Sequence, residues 1–321
     1  MQSMNETRRS FLKKTALLAL SAPAMAQGCA HLEQRYAGLK TADPRRAAVI
    51  WYSQTGHTGG MGRLMAHTLR RGGLEVVESD YRQFDASTLA GFDFIIMGSP
   101  VYYFTVPENL RRWISSLPRI DGIPAAAYVT FGGAGSNQHN AAYDLLDLLA
   151  GKGVIPVRLG AFSHMSAFAP TWSTGREARI LRYRDLPNET TFERARSFTR
   201  DALATVRSRG QVRIEPEFSP WQTFKHMDWP WWTKLFVGKH GINREKCIQC
   251  GNCQAVCPAG AISYRDYRVD RGKCILCVGC VNNCPTGAME MTYTGSEVYG
   301  YREFLRRNNI TLRVPRELEG S

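Results

Sequence analysis

Short runs of consecutive apolar residues recur through the first two thirds of the chain, each followed by a turn of small residues and then by apolar positions three and four apart. The first run, RAAVIWYS from Arg46 to Ser53, reads as a buried strand, and Met61, Leu64, Met65, Thr68 and Leu69 after it share one helical face. Leu74 to Ser79 reads as a second strand and FDFIIMGSPVY, Phe92 to Tyr102, as a third, with Leu110, Trp113, Ile114 and Leu117 marking the helix that follows. AAAYVTFGGAGS, Ala125 to Ser136, is a fourth strand ending in a glycine-rich loop, and a leucine-rich helix runs to about Leu149. Ile155 to Ser163 gives a fifth strand, and Thr190 to Val206 a last helix whose Thr190 and Glu193 are placed as a capping box. Strands alternating with helices imply an α/β domain with an open, doubly wound parallel sheet and ligands at the strand carboxyl ends.

Those ends carry SQTGHT, GSPVYYF and FGGAGS. The first supplies the hydroxyls of Ser53, Thr55 and Thr58 around Gly56, and hydroxyls with backbone amides at a helix N-terminus suit a phosphate. It lacks both the Gly-Lys-Ser/Thr ending of an NTPase loop and the GxGxxG of a dinucleotide fold. Taken alone, such a turn also reads as a plain helix cap.

Together the three loops resemble those of flavodoxins over residues 46 to 206. SQTGHT fits that family's S/T-x-T-G-x-T phosphate loop at Ser53, Thr55, Gly56 and Thr58, GSPVYYFTVP is similar to its isoalloxazine-flanking loop, and FGGAGS falls where its third loop belongs. The resemblance implies strand order 2-1-3-4-5. It also implies FMN held by Ser53, Gln54, Thr55, Gly56, His57, Thr58, Pro100, Val101, Tyr102, Tyr103, Phe104, Phe131, Gly132 and Gly133. Gly59 and Gly60 extend the phosphate loop, and the third loop lacks the Asp and Tyr of many short-chain flavodoxins. Tyr102 and Tyr103 are then the stacking candidates, one facing the ring and the other packing inward; core aromatics at a strand end are the alternative.

Cysteine spacing adds a second chemistry. After a solitary Cys29, none occurs until CIQCGNCQAVCP (Cys247, Cys250, Cys253, Cys257) and CILCVGCVNNCP (Cys274, Cys277, Cys280, Cys284). Each copy is C-x2-C-x2-C-x3-C-P, the spacing of bacterial two-cluster ferredoxins, in which the fourth cysteine of each run serves the other cluster. One 4Fe-4S cluster is therefore expected on Cys247, Cys250, Cys253 and Cys284, the other on Cys274, Cys277, Cys280 and Cys257, in a small α+β ferredoxin-type domain. Four disulfides or paired zinc sites would explain neither the third cysteine nor the following proline.

At the N-terminus, TRRSFLKK (Thr7 to Lys14) resembles a twin-arginine export signal, followed by the apolar run Ala16 to Ala26 and the small-x-small triplet Ala24-Met25-Ala26. That route carries folded proteins, which matches cofactors installed before export and places the expected location in the periplasm. Cys29, in AMAQGCA, resembles a lipoprotein processing site, and lipidation there and cleavage after Ala26 both stay open. The resulting division is signal 1–28, tether 29–45, flavodoxin-like domain 46–209, aromatic linker 210–240, two-cluster domain 241–294 and C-terminal extension 295–321.

The formal charge is +13, and removing residues 1–26 leaves 37 basic against 27 acidic side chains. Because the basic residues are dispersed, an acidic redox partner or an anionic lipid surface fits better than nucleic acid. Ser219 to Phe236 holds four of the seven tryptophans. Two readings stand for it: docking of one domain on the other, or a membrane-interface belt of Trp229, Trp231 and Trp232 beside Lys225 and Lys234. Glu297 to Arg307 patterns as a short amphipathic helix through Val298, Tyr301 and Leu305. His57, His139, His164, His226 and His240 read as surface or capping residues, and no catalytic constellation stands out. The expected function is electron carriage. The alternative is a flavoenzyme reducing a quinone or other small acceptor in a cleft near Tyr103, Phe104, His164 and Trp172; a maturation or docking partner is a third class.

Overall fold

The computed structural model describes residues 38–133, 135, 137–210, 212–220 and 227–319, with the backbone of Leu32–Glu33. The export signal, Cys29, Lys225 and His226 lie outside the described residues. Five parallel strands form the central sheet: β1 (Arg46–Trp51), β2 (Glu75–Asp80), β3 (Phe94–Pro100), β4 (Pro124–Gly132) and β5 (Ile155–His164). Their order is β2-β1-β3-β4-β5, with Ala48 opposite both Val77 and Ile95 across the centre. This is the expected 2-1-3-4-5 order.

The sheet is covered on both faces, which is why its inner strands read as unbroken apolar runs while the edge strand β2, EVVESD, does not. Alternate residues still face opposite ways. Ala48, Ile50, Ile95 and Met97 pack with Leu110 and Ile114 of α2 (Glu108–Ser116) and Leu145 and Leu149 of α3 (Gln138–Ala150). Ala47, Val49, Phe94 and Ile96 pack instead with Leu64 and Met65 of α1 (His57–Arg71) and with Phe198 and Val206 of the long C-terminal helix of the domain, Glu189–Ser208. That helix starts differently from expectation. Its cap is Asn188, whose side chain accepts from Thr191 N at 3.1 Å while Thr191 Oγ1 accepts from Asn188 N, so Thr190 and Glu193 do not form the box. The asparagine side chain takes the first free amides two residues earlier than the threonine could.

Two short helices, α4 (Ala169–Ser173) and α5 (Glu177–Leu181), follow β5, so the long helix is α6. Beyond it come α7 (Trp229–Lys234) and β6 (Val237–Ile242). Strand β6 pairs antiparallel with β9 (Met289–Tyr293), which also pairs with β10 (Ser296–Glu297). Between them lie the hairpin β7 (Ile262–Ser263) and β8 (Arg268–Val269) and the short helices α8 (Asn252–Ala255) and α9 (Gly279–Asn283). The strand begins at Val237, inside the stretch read as linker. The C-terminal helix α10 (Tyr301–Arg307) is no appendage either, since Tyr301 and Phe304 are buried with Trp172, Met165 and Val281 in one core. That shared core joins the cysteine-rich domain to the end of β5, and Leu32–Ser321 cluster as one unit.

Candidate cofactor sites

The phosphate-type loop leaves β1 at Tyr52, which is fully buried. Gly56 then takes a left-handed φ of 91° at the N-cap of α1, where the chain must reverse without a Cβ clash. Ser53 N donates to Asp80 Oδ2 at 3.2 Å. The Ser53 hydroxyl is buried without a hydrogen-bond partner, which suits it to a phosphate oxygen beside the free amides of α1. Thr58 has partners on β4: its hydroxyl lies 2.7 Å from that of Thr130, and Tyr128 OH donates to its carbonyl at 2.9 Å. It ties the loop to β4, and where Thr130 is the donor the Thr58 hydroxyl keeps its own proton for a phosphate oxygen.

The second loop is a tight turn closed by reciprocal Tyr102 and Thr105 backbone bonds of 3.0 and 3.1 Å. Both central residues, Tyr103 and Phe104, have positive φ (48° and 69°), a conformation that costs bulky side chains on the order of 1 kcal/mol or more each. Asn137 Nδ2 donates to the Phe104 carbonyl at 2.8 Å and helps hold it. Tyr102 packs edge-on against Tyr52, ring centroids 6.1 Å apart, while Phe104 meets Trp229 of α7 at 5.6 Å.

These loops surround a cavity of about 450 Å³, within the range of small-molecule sites. Ser53, Gln54, Thr55, His57, Thr58, Pro100, Val101, Tyr102, Tyr103, Phe104, Phe131 and Gly132 all line it. Gly56 and Gly133 do not; they shape the backbone behind it. A Cβ on Gly132 would sit 2.5 Å from Ser166 Cα, so glycine there permits the close approach of two chains. The cavity's buried serine hydroxyl, helix N-terminus and aromatic walls fit the phosphate and flat ring of FMN.

Part of the wall was not anticipated from the sequence: Asn137, Ser166, Phe168, Trp229, Cys277 and Asn282. Trp172 is not part of it; it is buried behind, its indole donating to the Tyr299 carbonyl at 3.0 Å. Nor are the histidines simple surface residues. His57 stacks on His164, centroids 4.1 Å apart and 10° from parallel, and its Nε2 lies 2.9 Å from the Tyr301 hydroxyl. Burial pushes both imidazoles down, His164 to about 4. His240 Nε2 is 3.5 Å from Cys280 Sγ, whereas His139 does pair at the surface with Glu217 at 3.3 Å.

The eight cysteines line two further cavities. Cys247, Cys250, Cys253 and Cys284 share one, and Cys257, Cys274, Cys277 and Cys280 the other, the crossed grouping implied by the spacing. Among the described residues no three ligating side chains converge tightly enough to share a single metal ion.

Backbone geometry repeats between the two runs. The second and fourth residues after the first cysteine are left-handed in each: Gln249 and Gly251 (54° and 74°), Leu276 and Val278 (both 51°). Alternating hands turn successive amides toward one side, forming a concavity that suits an anionic group such as an iron–sulfur cluster. One such amide reaches sulfur, Leu276 N to Cys274 Sγ at 3.4 Å, and Ala261 N, past the first run, reaches Cys257 Sγ at 3.3 Å. Burial pushes the Cys277 thiol up to about 12, so a bound cation is needed to hold it as thiolate at neutral pH.

Residues 240–263 match a family described as 4Fe-4S binding domain, and residues 271–287 match a second family of that description. A flavodoxin from Clostridium saccharobutylicum is 26% identical over 113 residues, 34% of this chain and 71% of that protein. Among solved structures, a flavodoxin from the Archaea aligns at 15% identity and TM-score 0.37, covering 50% of this chain and 98% of that one. A flavodoxin of Streptococcus pneumonia aligns at 18% and 0.39, covering 50% and 99%. With the sheet order and both cysteine sets in place, the chain joins a flavodoxin-like domain to a ferredoxin-type 4Fe-4S domain, and its cofactors are FMN and two 4Fe-4S clusters.

Proposed function

We propose that this electron-transfer protein passes electrons between its two clusters and FMN on the outer side of a bacterial inner membrane. The observation that carries the reading is the double position of Cys277, which belongs to one four-cysteine cavity and also lines the flavin cavity. Tyr102 and Tyr103 line that same flavin cavity, so the two sites share a wall at Cys277. Bound clusters exchange one electron at a time, while bound FMN exchanges one or two. Around them the chain supplies ligands and walls: the Leu276 amide points to Cys274 Sγ, and Tyr103, Phe104 and Trp229 wall the flavin cavity.

Export in a folded state is supported by TRRSFLKK, because three cofactors would have to be enclosed before crossing. The formal +13 charge favours an acidic redox protein as donor or acceptor. Anaerobic purification with flavin, iron and sulfide assays tests the cofactor assignment. Stoichiometric FMN with iron and sulfide for two clusters is expected; zinc, or no iron, would overturn it.

A second reading, FMN-dependent reduction of a quinone or other small acceptor, is favoured by one observation. A second cavity, of about 540 Å³, shares the Tyr102, Tyr103 and Trp229 wall with the first. Stopped-flow reoxidation separates the two: saturation with a small acceptor and sustained turnover mark an enzyme.

A further inference from the structure

The aromatic segment between the domains divides into a docked and an exposed part. Trp229 lines the flavin cavity against Phe104. Met227, Trp231, Trp232, Leu235 and Phe236 are 39, 51, 47, 60 and 53% exposed. Five large apolar side chains within ten residues form a concentrated patch, unlike the single exposed leucines found on any surface.

The scaffold beneath them is anchored. Asp228 caps α7 by accepting from Trp231 N at 3.0 Å, and Lys234 Nζ donates to the Gly272 carbonyl at 3.1 Å. Thr294 N donates to the Phe236 carbonyl at 2.8 Å, and Arg271 donates to the carbonyls of Val237 and Gly238 at 2.7 and 3.0 Å. Exposure of these rings is therefore a property of a tied-down element.

The rim is cationic. Segments 227–237 and 268–273 carry Lys234, Arg268, Arg271 and Lys273 against Asp228 and Asp270, while the neighbouring Lys239 is paired with Glu290. Both aspartates are occupied with backbone amides, Asp228 as above and Asp270 with Gly272 N at 2.9 Å. Paired tryptophans, with centroids 4.8 Å apart, offer apolar faces and a polar N–H, the combination that settles at a membrane–water boundary. One surface supplies acyl chains for the rings and phosphates for the ammonium and guanidinium groups: an anionic bilayer. A six-residue helix can lie in that boundary but not cross it, and no helix among the described residues is long and apolar enough to span.

We propose that Met227, Trp231, Trp232, Leu235 and Phe236, rimmed by Lys234 and Lys273, dock the protein on an anionic lipid surface. Docking here would hold the cysteine-rich domain beside the membrane, and it rests on the membrane-side location proposed above. Flotation of purified protein tests the surface alone, independently of whether export occurs.

The probes are vesicles of phosphatidylcholine with and without phosphatidylglycerol, and the samples are holoprotein of the full chain. Wild type, W231S/W232S, L235S/F236S and K234E/K273E all keep the same N-terminal segment, so differences report the patch. Wild type should float with the anionic vesicles, and either apolar pair should weaken partition by about tenfold or more. K234E/K273E should lose the preference for anionic over neutral vesicles, and salt should weaken wild-type flotation. Unchanged flavin and cluster spectra guard against misfolding. Equal flotation of wild type and both apolar pairs, or none for wild type at low salt, overturns the proposal. So does a soluble complex with an acidic protein, or a dimer, that W231S/W232S abolishes while wild type does not float.

Discussion

The imidazole of His57, from the phosphate-type loop, lies parallel to that of His164, from the end of β5, at 4.1 Å. The two residues are 107 positions apart and meet only because the sheet brings its carboxyl ends together. A third partner, Tyr301, comes from the C-terminal helix and contacts His57 through its hydroxyl. The hydroxyl can donate to a neutral ring or accept from a protonated one.

Burial depresses both histidines, so the unfolded chain takes up protons near pH 6.5 while folded His164 stays neutral down to about pH 4. Stability of the cofactor-free protein should thus fall as pH drops from about 6.5 to about 4, and recover above. For His164 alone, held at about 4 by burial, the loss is on the order of 3 kcal/mol. Urea melts at pH 7 and pH 4.5 check this, and His164→Gln should reduce the difference without abolishing it, since His57 and His240 are depressed as well.

Gly56→Ala forces a Cβ into a φ of 91° and should displace the loop amides. Ser53→Ala removes the buried hydroxyl, a hydrogen bond to a charged group worth about 1.5–3 kcal/mol. Both should weaken FMN binding by tenfold or more in calorimetric titrations. Riboflavin, which lacks the phosphate, should bind either variant about as it binds wild type.

Gly279 of α9 leaves no room for a side chain, since a Cβ there collides with Gln54 Oε1. Gln54 Nε2 is pinned by Tyr52 OH at 2.7 Å and the Val256 carbonyl at 2.8 Å, so it yields only by losing bonds. Gly279→Ala should cost about 1–2 kcal/mol in chemical denaturation. The double variant with Gln54→Ala should recover part of that loss, a coupling expected of neighbours across the domain junction.

Cys250→Ser and Cys277→Ser fall in different four-cysteine sets, and each should lower iron toward the content of one cluster. Only Cys277→Ser should also shift the flavin spectrum or its affinity, because only Cys277 lines the flavin cavity. Parallel iron assays and flavin titrations read the contrast.

Much of this was legible in the sequence because it is local. Apolar runs followed by helical spacing encode strands covered on both faces, and C-x2-C-x2-C-x3-C-P encodes how closely a chain can wrap a cluster. What resisted were features decided over distance. Asn282 reaches the flavin cavity only because α9 packs on the Ala167 carbonyl, through a bond of 2.9 Å. The shared left-handed pattern of Gln249 and Leu276 is invisible in letters, since neither residue type announces positive φ. Trp229, Trp231 and Trp232 carry the same signal, yet one turns into the flavin cavity while the others face out.

Rapid mixing of the anaerobic holoprotein with a one-electron reductant, followed at flavin and cluster wavelengths, tests the central claim most directly. Wild-type flavin bleaching should track cluster reduction, and in Cys277→Ser reloaded with FMN it should slow by an order of magnitude or more. Flavin bleaching at the wild-type rate in a variant shown to lack that cluster would contradict electron transfer between the two sites.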